Sequence, residues 1–183
     1  AGIKIQNQKK KQFNLLNYFK VENKSDNSKI EFYPQKKLEL EVYIDYESEV
    51  LKPQKAKLST LLNFKKDIAG ARTFCFLHEL DQLINHNLIK GGDVNNGIVF
   101  IEKDVTIESL GELKKLLPKQ IQALNKGILN NKKLLFENEQ AKHKLLDLLG
   151  DISLAGFDIK GKIVAKKPGH TINALFTQEL KKQ

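Results

Sequence analysis

The stretch Leu38-Glu39-Leu40-Glu41-Val42-Tyr43-Ile44-Asp45 is the one on which the fold reading turns. Its aliphatic residues alternate with Glu39, Glu41, Tyr43 and Asp45, so a strand's period of two buries Leu38, Leu40, Val42 and Ile44 and leaves the acids in water. Towards the N-terminus, Ile30 and Phe32 begin a shorter strand closed by Pro34, and Asn23 to Ser28 supply a turn. A mixed run from Phe13, Leu15 and Leu16 to Val21 gives a further strand. Together these predict an antiparallel meander. The lysine-rich residues before Phe13, including Lys9, Lys10 and Lys11, read as a connection from elsewhere, which sets 1–12 apart from a domain over 13–183.

Towards the C-terminus, a loop holds Pro53, and Thr60 is placed to cap a short helix whose apolar side is Leu61, Phe64 and Ile68. Thr73 to Leu77 is β-like, His78 to Asn87 has helical spacing, Gly91-Gly92 turns the chain and Gly97 to Ile101 is β-like again. That order predicts a βαβ insert over 73–101. Residues 103–133 read as an amphipathic helical insertion at the surface, with Leu110, Leu113, Leu116 and Leu117 before Pro118. Glu137 to Leu154 carries the strongest helical pattern, with Leu145, Leu146, Leu148, Leu149 and Ile152 on its apolar side and Gly156 as its stop. A strand through Ile159, Ile163 and Val164 follows, Pro168-Gly169 breaks it, and Thr171 to Lys182 reads as a final helix. The fold class is α+β: two layers, an antiparallel or mixed sheet on two main helices, with the βαβ insert.

The chain has 183 residues, of which 40% are hydrophobic. That is enough for one core or two small ones. Net charge is +9, and Arg72 is the only arginine, so the cations are almost entirely lysines. They are scattered, which suits solubility better than a nucleic-acid track. No run approaches the roughly 18 uncharged apolar residues of a transmembrane helix, and no secretory leader is visible. A single cysteine, Cys75, cannot form an intramolecular disulfide, which points to a reducing, cytoplasmic location. Methionine is absent, an initiator included, so the chain reads as a piece of something longer. No P-loop, dinucleotide fingerprint or paired CxxC occurs.

The chemistry concentrates in His143-Lys144-Leu145-Leu146-Asp147-Leu148-Leu149-Gly150-Asp151. Positions i, i+4 and i+8 share a helix face, so His143, Asp147 and Asp151 form one polar stripe. An imidazole nitrogen and a carboxylate oxygen one turn apart can chelate a tetrahedral zinc ion at about 2.0 to 2.2 Å each; they can equally be a solvated polar pair. His170 stands at the start of the last helix, either as a loop histidine or as an imidazolium, which a helix N-terminus disfavours unless a carboxylate such as Asp151 is near. His78 and His86 read as surface residues, and Cys75, between Phe74 and Phe76, as a small buried strand residue rather than a nucleophile.

Four segments then act together: Ala71-Arg72-Thr73-Phe74-Cys75-Phe76, Leu88-Ile89-Lys90-Gly91-Gly92, His143 to Asp151, and Pro168-Gly169-His170-Thr171-Ile172-Asn173. In this order, downstream of Ile44-Asp45-Tyr46, they resemble the second half of the zinc-dependent UDP-3-O-acyl-N-acetylglucosamine deacetylases of bacterial lipid A synthesis. The resemblance implies zinc as cofactor, with His143 and Asp147 as two of its three protein ligands. It implies that Thr73, Lys144 and His170 surround the reacting amide and that Asp151 orients His170. It further implies that Asp45 and Tyr46 hold the uridine, that Lys167 approaches the diphosphate, and that Phe74, Phe76 and Ile89 line a passage for the acyl chain. The family's third ligand and catalytic glutamate are an adjacent Glu-His pair in a first domain that these residues lack. His78-Glu79 has the opposite order and is not that pair. The resemblance therefore implies a fragment with little activity by itself, and in some bacteria this enzyme is fused to an acyl-carrier-protein dehydratase beyond a junction such as Lys181-Lys182. Two alternatives stand beside it: a basic, non-catalytic module for nucleic acid or another anionic partner, and an inactive interaction domain with merely solvated His and Asp.

Overall fold

A computed structural model describes residues 12–14, 16–80, 96–106 and 123–182. Twelve strands are assigned among them: β1 (Gln12–Asn14), β2 (Phe19–Asn23), β3 (Ser28–Tyr33), β4 (Glu39–Ile44), β5 (Gln54–Leu58), β6 (Phe74–Phe76), β7 (Ile98–Ile101), β8 (Val105–Thr106), β9 (Ala123–Leu124), β10 (Gly127–Ile128), β11 (Asp158–Lys160) and β12 (Lys162–Lys166). The helices are α1 (Phe64–Asp67), α2 (Glu139–Ser153) and α3 (His170–Leu180), with short 3-10 turns between elements. The fold is α+β. The main sheet has the order β2-β3-β12-β4-β5.

Alternation in β3, β4, β5 and β12 sends Ile30, Phe32, Leu40, Val42, Ala56, Leu58, Ile163 and Ala165 to one face. There they meet Ala141, Leu145, Leu148 and Ile152 of α2 and Ile172, Phe176 and Leu180 of α3 in one core. Each fully buried side chain of this size contributes about 1.5–3 kcal/mol, which is what holds two helices of modest intrinsic stability in place. Thr60 caps as expected, its hydroxyl accepting the Leu62 N–H at 3.3 Å. Gly156 ends α2's trailing turn with φ 83°, a conformation open to glycine without a Cβ penalty.

Three expectations are corrected. The meander is interrupted: β12 lies between β3 and β4, antiparallel to the first and parallel to the second. Alternation specifies which face a strand buries but not which strand it pairs with. Gln54–Leu58, read as loop after Pro53, is edge strand β5 on β4; its three polar residues and short apolar set hid the period. Glu41, expected in water, is 6% exposed because Lys162, Lys55 and Lys57 of the flanking strands and the Tyr43 hydroxyl close over it.

β6 and β7 pair in parallel; of the stretch His78 to Asn87 expected to be helical, the start falls in a 3-10 turn, Leu77–Glu79, and residues 81–95 lie outside the described residues. β10 adds to the other edge of β7. Of the 103–133 insertion, the described ends hold no α-helix: β8 pairs with β9, β10 joins β7, and a 3-10 turn at Leu129–Asn131 has Asn130 and Asn131 at φ of 59° and 48°. Nor is it all surface, since Leu129 is 4% exposed. Leucines spaced for a helix satisfy short strands and 3-10 turns equally well. Residues 107–122 lie outside the described set. Phe76, Ile98, Phe100 and Leu51 form a second, smaller core, and Tyr46 and Phe74 pack against both cores.

Candidate active site

β4 and β12 run parallel, so their C-terminal ends come out together. Tyr46 follows the first and the loop 167–169 follows the second. The Lys167 N–H donates to the Tyr43 carbonyl at 2.8 Å, and Lys167 takes φ 48°. This fastens the loop to β4 and starts α3 at His170, with Gly169 as its N-cap.

α2 crosses beside that edge and carries the polar stripe. His143 Nδ1 donates to the Ala71 carbonyl at 3.1 Å. A carbonyl only accepts, so in the neutral ring the proton sits on Nδ1 and Nε2 keeps its lone pair. Nε2 is 3.5 Å from Asp147 Oδ1. A tetrahedral ion bonded to both at about 2.1 Å needs a ligand separation of about 3.4 Å, so this pair fits zinc. Among the described residues no group of three or more His, Cys, Asp or Glu is arranged to hold a metal. Lys144 Nζ lies 3.5 Å from Asp147 Oδ2 and 5.7 Å from the Phe74 ring centre. The Phe74 ring meets His143 edge-on at 6.5 Å.

One turn further along α2, Asp151 Oδ2 accepts from His170 Nδ1 and from Asn173 Nδ2, each at 2.8 Å. The His170–Asp151 pairing therefore has the expected geometry, and it ties α2 to the first turn of α3. The His170 side chain is 73% exposed.

A cavity of about 290 Å³ lies against this edge, lined by Tyr46, Phe74, Phe76, Lys144, Lys167 and Glu79, with Asp26, Pro168 and Gly169. Lys167 Nζ stands 6.0 Å from the Tyr46 ring centre, while Phe74 and Phe76 present T-shaped contacts to the same ring at 5.9 and 6.0 Å. Burial pushes the Tyr46 phenol up to about 12, with the charges of Glu79 and Asp147 adding to it. Tyr46 is thus a neutral aromatic part of the cavity wall.

Five of the residues singled out from sequence, Tyr46, Phe74, Phe76, Lys144 and Lys167, line one space, and His143 and Asp147 stand beside it. Asp45 does not join them. It lines a groove of about 530 Å³ with Tyr43, Lys55, Val164 and Lys166 of the outer sheet face, because consecutive residues of an extended chain face opposite sides. Its Oδ1 accepts the Glu47 N–H at 3.0 Å. Thr73 is exposed, two residues beyond the carbonyl that holds His143. Ile89 and His86 lie outside the described residues, and His78 is a surface residue facing Glu102 at 3.6 Å. Burial, with Glu79 adding, pushes the Cys75 thiol up to about 11, so it is not a thiolate nucleophile at neutral pH.

Sequence reasoning missed Asp26 and Glu79 in the cavity wall and the partnership of Arg72 with Glu139. The second had a signal. One arginine among thirty lysines marks a place where a planar fork of donors is needed.

Comparison with known proteins gives a consistent result. The family model described as "UDP-3-O-acyl N-acetylglycosamine deacetylase" (LpxC) matches residues 1–111 and 116–182. A Porphyromonas gingivalis protein named bifunctional enzyme LpxC/FabZ is 40% identical over 89% of this chain and 36% of its own length. One of the same name from Bacteroides thetaiotaomicron is 37% identical over 100% of the chain and 40% of its own length. A Teredinibacter turnerae protein named UDP-3-O-acyl-N-acetylglucosamine deacetylase is 31% identical over 100% of the chain and 53% of its own length. The chain spans between about a third and about half the length of these relatives.

Proposed function

The chain belongs to the UDP-3-O-acyl N-acetylglycosamine deacetylase family, and from that premise we propose that it is the second domain of a zinc amidohydrolase. The reaction removes acetate from UDP-3-O-acyl-N-acetylglucosamine in the cytoplasm, leaving a free amine for lipid A synthesis. What carries the reading is the pair His143 Nε2 and Asp147 Oδ1, 3.5 Å apart beside an aromatic and cationic cavity. Zinc held there supplies Lewis-acid polarisation of the amide carbonyl and a more acidic water. The third ligand and the general base come from an adjacent Glu-His pair outside these residues. The polypeptide is also proposed to carry a dehydratase, as two of the relatives are named bifunctional.

The remaining work falls to side chains of this chain. His170, its Nδ1 turned to Asp151, keeps Nε2 for the leaving amine, and Asp151 offsets the charge of the imidazolium that must give up the proton. Lys144 and Thr73 donate towards the oxygen on which negative charge develops. Tyr46 stacks on the uracil and Lys167 meets the diphosphate. The insert over 73–101 supplies the acyl passage, with Phe74, Phe76 and Ile89 on its wall.

The test uses the complete polypeptide that carries these residues. His143→Ala is expected to lose zinc and activity together. His170→Ala is expected to retain zinc and lose kcat by about 10²- to 10⁴-fold. Full activity in both, or robust turnover by the 183 residues alone, overturns the assignment.

A further inference from the structure

Glu139 is 0% exposed, yet its carboxylate accepts four hydrogen bonds. Arg72 gives three of them, from its backbone N–H at 3.0 Å, from Nε at 2.7 Å and from Nη2 at 3.0 Å; the Leu135 N–H gives the fourth at 2.6 Å. Nη2 also donates to the Lys133 carbonyl at 2.8 Å. Glu139 and His143 are i and i+4 on α2 and so share a face. The decisive relation is between two of these bonds. The Arg72 N–H that reaches Glu139 and the Ala71 carbonyl that receives His143 Nδ1 belong to one peptide unit.

A trans peptide is planar, with its N–H and C=O directed oppositely. Fixing one end therefore aims the other. We infer that Arg72 and Glu139 are positioning residues: by clamping the 71–72 peptide they aim the Ala71 carbonyl and thereby hold His143 as the Nδ1–H tautomer, with Nε2 free to ligate. An arginine fork on a buried carboxylate suits that task because its donors are rigid and bidentate. A lysine has one ammonium and cannot serve both carboxylate oxygens and the Lys133 carbonyl in the same way. This deepens the proposed metal role of His143 and rests on it, but its first readout does not involve metal.

The experiment uses the complete polypeptide that carries these residues and the variants Glu139→Gln and Arg72→Lys. Ring-nitrogen NMR of neutral His143, without metal, is expected to show Nδ1–H in the parent chain and a mixture of tautomers in both variants. Titration with zinc alone is expected to give binding about 10- to 100-fold weaker in the variants, and none at this site in His143→Ala. If Glu139→Gln does not fold, Arg72→Lys carries the test, its fold checked by a cooperative thermal transition. A folded variant with an unchanged tautomer and unchanged zinc affinity overturns the clamp. A tautomer that shifts in the variants while His143→Ala leaves zinc binding unaltered sustains the clamp and refutes the metal reading instead.

Discussion

At Gly161, between β11 and β12, the backbone passes against the Phe32 ring, and a Cβ there would overlap ring atoms Cε2 and Cζ and crowd the Tyr33 carbonyl. Phe32 cannot give way easily, being fully buried and stacked on Phe19 at 5.4 Å. Gly161→Ala is therefore expected to destabilise by about 1–3 kcal/mol, read as a lower denaturant midpoint at unchanged slope. Tyr46 makes a different prediction at the same scale. Its phenol titrates at about 12 instead of 10, so the folded state binds that proton more tightly than the unfolded chain does. The corresponding stability is complete below pH 10 and is lost as pH rises through 12. Alkaline absorbance titration should show two tyrosines ionising late, because the hydrogen bond to Glu31 also pushes the Tyr18 phenol up to about 12, and Tyr46→Phe should remove one of them. Neither feature is legible in the sequence, where Gly161 is one glycine among 11 and nothing local reports a neighbour's ring.

α2 is held at its first turn by Glu139 and at its last by Asp151. Burial works to raise the Glu139 carboxyl, but the Arg72 guanidinium and the Arg72 and Leu135 N–H groups outweigh it and hold the carboxyl below its usual 4.5. Its contribution to stability is present above pH 4.5 and disappears as pH falls through the lowered folded value. Arg72→Ala strands a buried carboxylate and is expected to cost about 3–5 kcal/mol at neutral pH. Glu139→Ala should cost less, because Arg72 is 20% exposed and water can reach it. In acid the Arg72→Ala penalty should shrink as Glu139 takes up a proton, which urea unfolding across pH would show. The stripe of His143, Asp147 and Asp151 was legible because helical periodicity is a local property of the chain. That His170 and Asn173 meet its last member needed α2 and α3 packed together.

At the scale of the molecule, the candidate site occupies the seam between two cores, with Tyr46 and Phe74 belonging to both. An ion that binds only the folded seam should raise stability by mass action, about 2.7 kcal/mol at a hundredfold excess over Kd. A zinc-dependent rise in Tm, reversed by chelator and absent in His143→Ala, is the expected observation; an equal rise in that variant would place the ion elsewhere. What the amino-acid order determined unaided were the features carried by short-range periodicity: the buried face of β4, the two main helices, the α+β class and the spacing of the polar stripe. Tertiary structure alone decided that β12 divides the meander, that Asp45 turns away from Tyr46's cavity, and that a carbonyl 72 residues upstream sets the His143 tautomer. Backbone geometry repeats along the chain and leaves its mark on nearby residues, whereas strand pairing and side-chain convergence depend on the free energy of the whole packing.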